Sequence, residues 1–208
     1  MTNETNMKGV WFWDTFPKWC TAGWWIFFIG FALLTAFSSQ SIINVAQANP
    51  PLFLTISLLL IFWVFVGNYV PGLPNMFAPL LLGWGIGQGL SWWFLLAGLP
   101  IVAAAVAGSL AGFNAGRLGL PFGNVRSSER YKGALNALRT DQNVVLRSRI
   151  GKFAAYCGHI NIAAGENGMD INEFLRGAML GHTLWTFYYV AAGFLMGWLL
   201  PYVGQIFK

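Results

Sequence analysis

PLFLTISLLLIFWVFVGNYVPGLPNMFAPLLLGWGIGQG, residues 51–89, contains no Asp, Glu, Lys or Arg, and it lies within a longer run from Trp19 to Gly116 that also has none. A water-facing surface of that length ordinarily carries charges of both signs. With 56% hydrophobic residues, 9% charged residues and 11 Trp among 208 residues, the composition makes lipid the solvent for most of the surface. The chain therefore reads as an all-α integral membrane protein, not as a soluble enzyme. The expected architecture is about four transmembrane helices, two re-entrant hairpins and a surface amphipathic helix. Residues 1–18 form an N-terminal juxtamembrane segment, and 19–208 form a single polytopic membrane domain.

Working outward from residues 51–89, a spanning helix needs roughly 20 apolar residues. Pro51–Val66 is a short candidate, and the part that follows, Gly67–Gly89, brings three prolines and six glycines into uncharged chain. Backbone that breaks its helix in a membrane must be buried in protein or line a cavity, because lipid cannot satisfy freed N–H and C=O groups. Asn68–Gly89 is accordingly expected as a re-entrant hairpin, with GWGIGQG as a flexible turn. Upstream, Thr21–Ile43 is a candidate span entered through an interfacial belt of Trp19, Trp24 and Trp25. Downstream, Leu90–Gly116 is a further span ending in Gly108, Gly112 and Gly116, a doubled GxxxG that lets a neighbouring helix approach closely, most simply within the same chain.

Arg117–Lys152 reverses the composition, with eight basic residues against Glu129 and Asp141. That excess places the basic loop, 117–152, on the cytoplasmic side, with both termini opposite. Ser127 or Ser128 can cap an amphipathic helix carrying Tyr131, Leu135 and Leu138 on one face. The positive charges sit beside membrane segments, so anionic lipid headgroups are the expected partner and nucleic acid is not. Phe153–Gly165 is apolar but too short to span and reads as a second re-entrant element. Asp170 or Asn172 caps the last span, Phe174–Leu200.

The hairpin stretches resemble the DedA family, also called VTT or SNARE-associated membrane proteins. GNYVPGLPNMFAPLLLG is similar to that family's first re-entrant loop, and Gly108–Gly119, GSLAGFNAGRLG, to the signature ending its next helix. Arg149 through Gly165, followed by FLRGAMLGHTLW, resembles its second loop and last helix. The resemblance implies translocation of lipids such as polyprenyl phosphates or phospholipids, coupled to protons or sodium. This chain departs from the pattern where the family keeps acids: Gly67, Met76 and Ser109 stand at the matching positions. Arg149 matches the first arginine of the second loop, the second falls near Ala155, and the turn proline is absent. Loss of intramembrane carboxylates removes the coupling chemistry.

The candidate contacts for a lipid or its headgroup are Asn75, Arg149, His159 and Asn161. His182, inside the last span, is the candidate proton relay or tetrapyrrole ligand, although a histidine hydrogen-bonded to a neighbouring helix is the preferred reading. Glu166, Asp170 and Glu173 read as helix-capping acids rather than a cation site. Cys20 and Cys157 suggest no disulfide framework, and no metal, cofactor or catalytic residue is expected. The expected function is a scaffold or accessory subunit associating with other membrane subunits, with lipid binding or translocation of the DedA type as the alternative. The expected location is a bacterial inner membrane.

Overall fold

A computed structural model of the chain describes residues 48–71, 73, 75–120, 125–150 and 157–206, together with 22, 23, 26, 29, 30 and 44. The segment 1–18, the tryptophan belt and nearly all of Thr21–Ile43 lie outside the described residues. Among the described residues the chain is helical and has no strand. The helices are α1 (Pro50–Tyr69), α2 (Phe77–Gly87), α3 (Gly98–Arg117, preceded by a 3-10 turn at Trp92–Ala97), α4 (Glu129–Thr140), α5 (Val144–Ile150), α6 (Cys157–Glu166) and α7 (Ile171–Ile206). Three stretches are long and apolar enough to cross a membrane: Pro50–Tyr69, Trp92–Arg117 and Ile171–Val203. Their outer faces expose Leu54, Leu58, Leu59 and Phe62 on α1, Trp92 and Trp93 before α3, and Phe187, Tyr188 and Trp198 on α7. Water would penalise so much contiguous apolar surface, whereas hydrocarbon does not.

Glycines fix how the helices pack. A Cβ on Gly108 would collide with the Phe65 carbonyl of α1, and one on Gly116 with the Ile162 carbonyl of α6; one on Gly112 would come within 3.3 Å of the Asn161 Cβ. The doubled GxxxG is thus occupied inside the chain. A second such seam joins α2 to α7, where Gly83 and Gly87 face the carbonyls of Val190 and Phe194, and Gly193 and Gly197 face those of Leu80 and Trp84. GWGIGQG is therefore not a flexible turn. Most of it is helical, with Gly83 and Gly87 serving close backbone approach, and the turn is confined to Gln88 and to Gly89 at φ +99.

The same contacts give helix directions. Val64 packs with Ile101 and Ala105, Phe65 meets Gly108 and Tyr69 meets Gly112, so α1 and α3 run parallel. In contrast, Ser109 meets His182 while Gly98 meets Thr186, so α3 and α7 run antiparallel. Both α2 and α5 run parallel to α7, since residue numbers rise together along each seam, from Val145 against Gly177 to Arg149 against Gly181 in the latter. This corrects the expected layout, in which Pro51–Val66 and Leu90–Gly116 cross in opposite senses and a hairpin follows the former. Instead α1 runs one way and the chain returns through α2, so the side of the N-terminus no longer follows from the basic loop.

α2 is about 16 Å long, half of a ~30 Å hydrocarbon core. The chain between α1 and α2, where Pro71 lies, meets the start of α6: a Cβ on Gly158 would stand 2.7 Å from the Pro71 Cα. The expected amphipathic helix is α4, capped by Ser128, whose Oγ accepts from the Tyr131 N–H at 3.2 Å. Its apolar face buries Tyr131, Ala134 and Ala137 within the core that holds Ile160, Ile162 and Phe174. Asp170 caps α7, its Oδ1 accepting from the N–H groups of Asn172 (2.8 Å) and Glu173 (3.1 Å). Glu166, read as a capping acid, instead ends α6 and accepts from Arg126 and from the Tyr131 hydroxyl. Burial and this carboxylate together push the Tyr131 phenol above its ordinary range.

The last helix does not stop at Pro201, where the sequence places its end, but continues to Ile206. Proline has no N–H, so the carbonyl four residues earlier, that of Gly197, loses its helical donor. Gln88 Nε2 donates to that carbonyl from the end of α2. In lipid such a substitute is required, since an unpaired buried carbonyl costs several kcal/mol. Gln88→Leu is therefore expected to lower stability by about 2 kcal/mol, and to cost far less in a Pro201→Ala background, where the helix supplies its own donor. Thermal unfolding of the four proteins in mild detergent checks this; equal costs in both backgrounds would break the link. In the same assay Gly108→Ala and Gly116→Ala are expected to be clearly worse than Gly112→Ala.

Candidate functional site

One fully buried polar cluster occupies the junction of α1, α3, α5, α6 and α7. Arg149 is its centre, near the end of α5 and only 5% exposed. Its position follows from Gly181: with no side chain there, the Arg149 Cβ lies 3.0 Å from where a Cβ would sit, and the guanidinium passes along α7. A guanidinium has five N–H donors. Here Nε donates to His182 Nε2 at 3.4 Å, and Nη1 donates to the Val145 carbonyl at 3.2 Å and to Ser148 Oγ. Nη2 donates to Ser109 Oγ at 3.2 Å and to Asn161 Oδ1. Every acceptor is neutral. Asn161 extends the chain of bonds, its Nδ2 donating to the Asn68 carbonyl at 3.1 Å, and Asn68 Nδ2 donates to the Val64 carbonyl at 2.8 Å. No salt bridge to Arg149 exists among the described residues.

The depth of this cluster follows from helix rise. Ser109 lies roughly 12 Å along α3 from Arg117, and His182 roughly 9 Å along α7 from the exposed Arg176. Both distances carry the cluster well into a ~30 Å hydrocarbon core without reaching its middle. The hydroxyl of Ser109 lies 2.8 Å from His182 Nε2. A cationic Arg149 N–H can only donate, so Nε2 must accept, and His182 is neutral with its proton on Nδ1. Ser109 then accepts from Arg149 and donates to His182.

Of the four headgroup candidates read from the sequence, Arg149 and Asn161 are brought together, with His182 beside them. Asn75 is not part of the group: its Cβ lies against Gly67, 2.7 Å from where a Cβ would sit, and it takes no part in the cluster's hydrogen bonds. His159 is also apart, 1% exposed in α6, with neither ring nitrogen hydrogen-bonded to a described residue. Met76 precedes α2 and packs with the Val64 and Ala78 core. The sequence reading passed over Asn68, Ser148 and Thr186. Their signal is a polar side chain in apolar helix, clearest at Thr186, one turn beyond His182. Among the described residues no three His, Cys, Asp or Glu side chains converge.

No family model, no curated protein and no solved structure matches the chain.

Truncating Asn161 would leave both an Arg149 donor and the Asn68 carbonyl buried without a partner. Asn161→Ala is expected to cost on the order of 3 kcal/mol. In an Arg149→Met background, where no buried charge remains to satisfy, the same change should cost much less. Detergent melts of the four proteins give the coupling, and a coupling near zero would show that the two side chains act independently.

Proposed function

We propose that this chain is a polytopic membrane protein of DedA-like architecture that binds the headgroup of an anionic lipid at Arg149 and lets it pass without coupling to protons. In this reading the α1–α2 pair and the α5–α6 pair are re-entrant elements dipping from opposite faces. Asn161 of α6 and Asn68 of α1 meet beside the guanidinium, in the manner of interrupted helices that meet near the midplane in transporters.

The observation that carries the reading is a fully buried guanidinium whose acceptors are all neutral. Hydrogen bonds satisfy its donors, but they leave its charge uncompensated. A charge held at that depth costs about 3 kcal/mol even on lenient scales, and an apolar side chain of similar volume would hold four helices together more cheaply. A permanent positive charge retained at such cost is explained by an anion that visits it. Neutral partners suit that purpose, since a phosphate can displace a serine hydroxyl or an asparagine oxygen more easily than it can displace a carboxylate. No acid lies in the cluster among the described residues, and the Nε2 of His182 is engaged as an acceptor.

The scaffold reading keeps one specific observation in its favour. All five donors of Arg149 are already occupied, as a purely structural pin would have them. The two readings separate in vesicles. Purified protein reconstituted in phosphatidylcholine with a fluorescent phosphatidylglycerol is expected to redistribute the labelled lipid equally well with and without a pH gradient. Arg149→Met should lose at least tenfold in rate, and Arg149→Lys should retain part of it. If wild-type protein moves no lipid and co-purifies stoichiometrically with other membrane subunits, it is a scaffold. If movement requires the pH gradient, the uncoupled mechanism fails.

A further inference from the structure

With Nε2 of His182 engaged by Ser109 and Arg149, its proton sits on Nδ1, yet Nδ1 has no hydrogen-bond partner among the described residues. One helical turn further along the same face of α7, Thr186 Oγ is likewise buried without a partner. The two residues are only 2% and 6% exposed. Two unpaired polar groups one turn apart in the interior of a membrane protein are expensive, at roughly 1–3 kcal/mol each on protein scales. On the α3 side, Gly98 stands 3.8 Å from the Thr186 methyl at the position of its absent Cβ, and Ile101 and Ala105 pack in one core with Trp185.

We propose that His182 Nδ1–H and Thr186 Oγ–H form a second subsite, one turn along α7 from Ser109 and Arg149, that holds a phosphate oxygen of an anionic lipid headgroup. The proposal rests on the headgroup reading of Arg149 and extends it by a second holding point. Both groups donate, and a positive charge lies close by, so the site favours an oxygen that only accepts. An anionic oxygen accepts from both donors and brings no hydrogen of its own, whereas a water accepting from both has two further hydrogens to pair. The direction is also informative: α7 runs from the basic-loop end past Ser109 toward Gly98, so the subsite lies between the central guanidinium and the opposite end of α3. A headgroup leaving Arg149 in that direction meets donors rather than hydrocarbon.

The test uses full-length protein with 15N-labelled histidine and His159→Gln, so that His182 supplies the only ring signal. In phosphatidylglycerol vesicles, solid-state NMR is expected to show a protonated Nδ1 whose signal is dephased by 31P. Thr186→Val should remove most of that dephasing, Thr186→Ser should keep it, and Thr186→Val should slow lipid redistribution about tenfold. A protonated Nδ1 without 31P dephasing, or a proton on Nε2 instead, overturns the subsite. Dephasing that occurs with inorganic phosphate in phosphorus-free detergent but not in the vesicles overturns the assignment to a lipid. If redistribution depends on Arg149 but is unchanged in Thr186→Val, the subsite falls and the Arg149 reading stands. If Arg149→Met redistributes lipid like wild type, the headgroup reading itself falls.

Discussion

In hydrocarbon no solvent stands ready to pair a freed carbonyl or to solvate a buried charge, so every such group must be answered from within the chain. That constraint explains the least obvious contacts of this structure. Pro201 removes one donor from α7 and Gln88 supplies another from α2, the two residues being separated by most of the chain length. The glycine seam that brings α2 against α7 is what puts Gln88 within reach, since side chains at Gly83, Gly87, Gly193 or Gly197 would hold the helices apart. Packing and hydrogen bonding are thus two parts of one solution. The interruption after Tyr69 is tolerated on the same terms, with Pro71 covered by the start of α6 and the Asn68 carbonyl paired with Asn161.

The same constraint gives Arg149 its meaning. On a wet surface a guanidinium needs no particular neighbours, and its ion pairs contribute little. Buried among five helices, it organises them: Ser109 from α3, Asn161 from α6, His182 from α7 and Ser148 from its own helix all turn toward it. These partners satisfy direction without neutralising charge. Each donor of the guanidinium is answered, while its charge is met by no carboxylate among the described residues.

Much of this was legible in the sequence, and the legible part has a common character. An uncharged run, a proline-rich interruption, a basic loop and the caps at Ser128 and Asp170 are local signals whose physical consequences are local, and the two caps and the apolar helices at Pro50–Tyr69 and Trp92–Arg117 stand where those signals put them. Direction was not legible, because hydropathy along a helix is the same read from either end; only the pairing of Phe65 with Gly108 and Tyr69 with Gly112 reveals that α1 and α3 run parallel. Nor was the end of α7. Pro201 argues for a stop by every local rule, and the reason it is not one lies in Gln88, far off in sequence. Gly83 and Gly87 were misread for a similar cause: glycine permits both a turn and a close approach, and which of the two applies depends on a partner helix that sequence does not name.

Ser109, which the sequence resemblance sets where an acid is expected, shows how one hydroxyl sets the state of its neighbours. In the folded chain it is a hydroxyl that accepts from Arg149 and donates to His182, and in doing so it fixes which ring nitrogen of His182 carries the proton. A carboxylate at the same place would neutralise the guanidinium and compete with any incoming anion for it. A serine there leaves the charge to neutral partners. Among the described residues the cation keeps its geometry through neutral partners alone, and no carboxylate forms an ion pair with it.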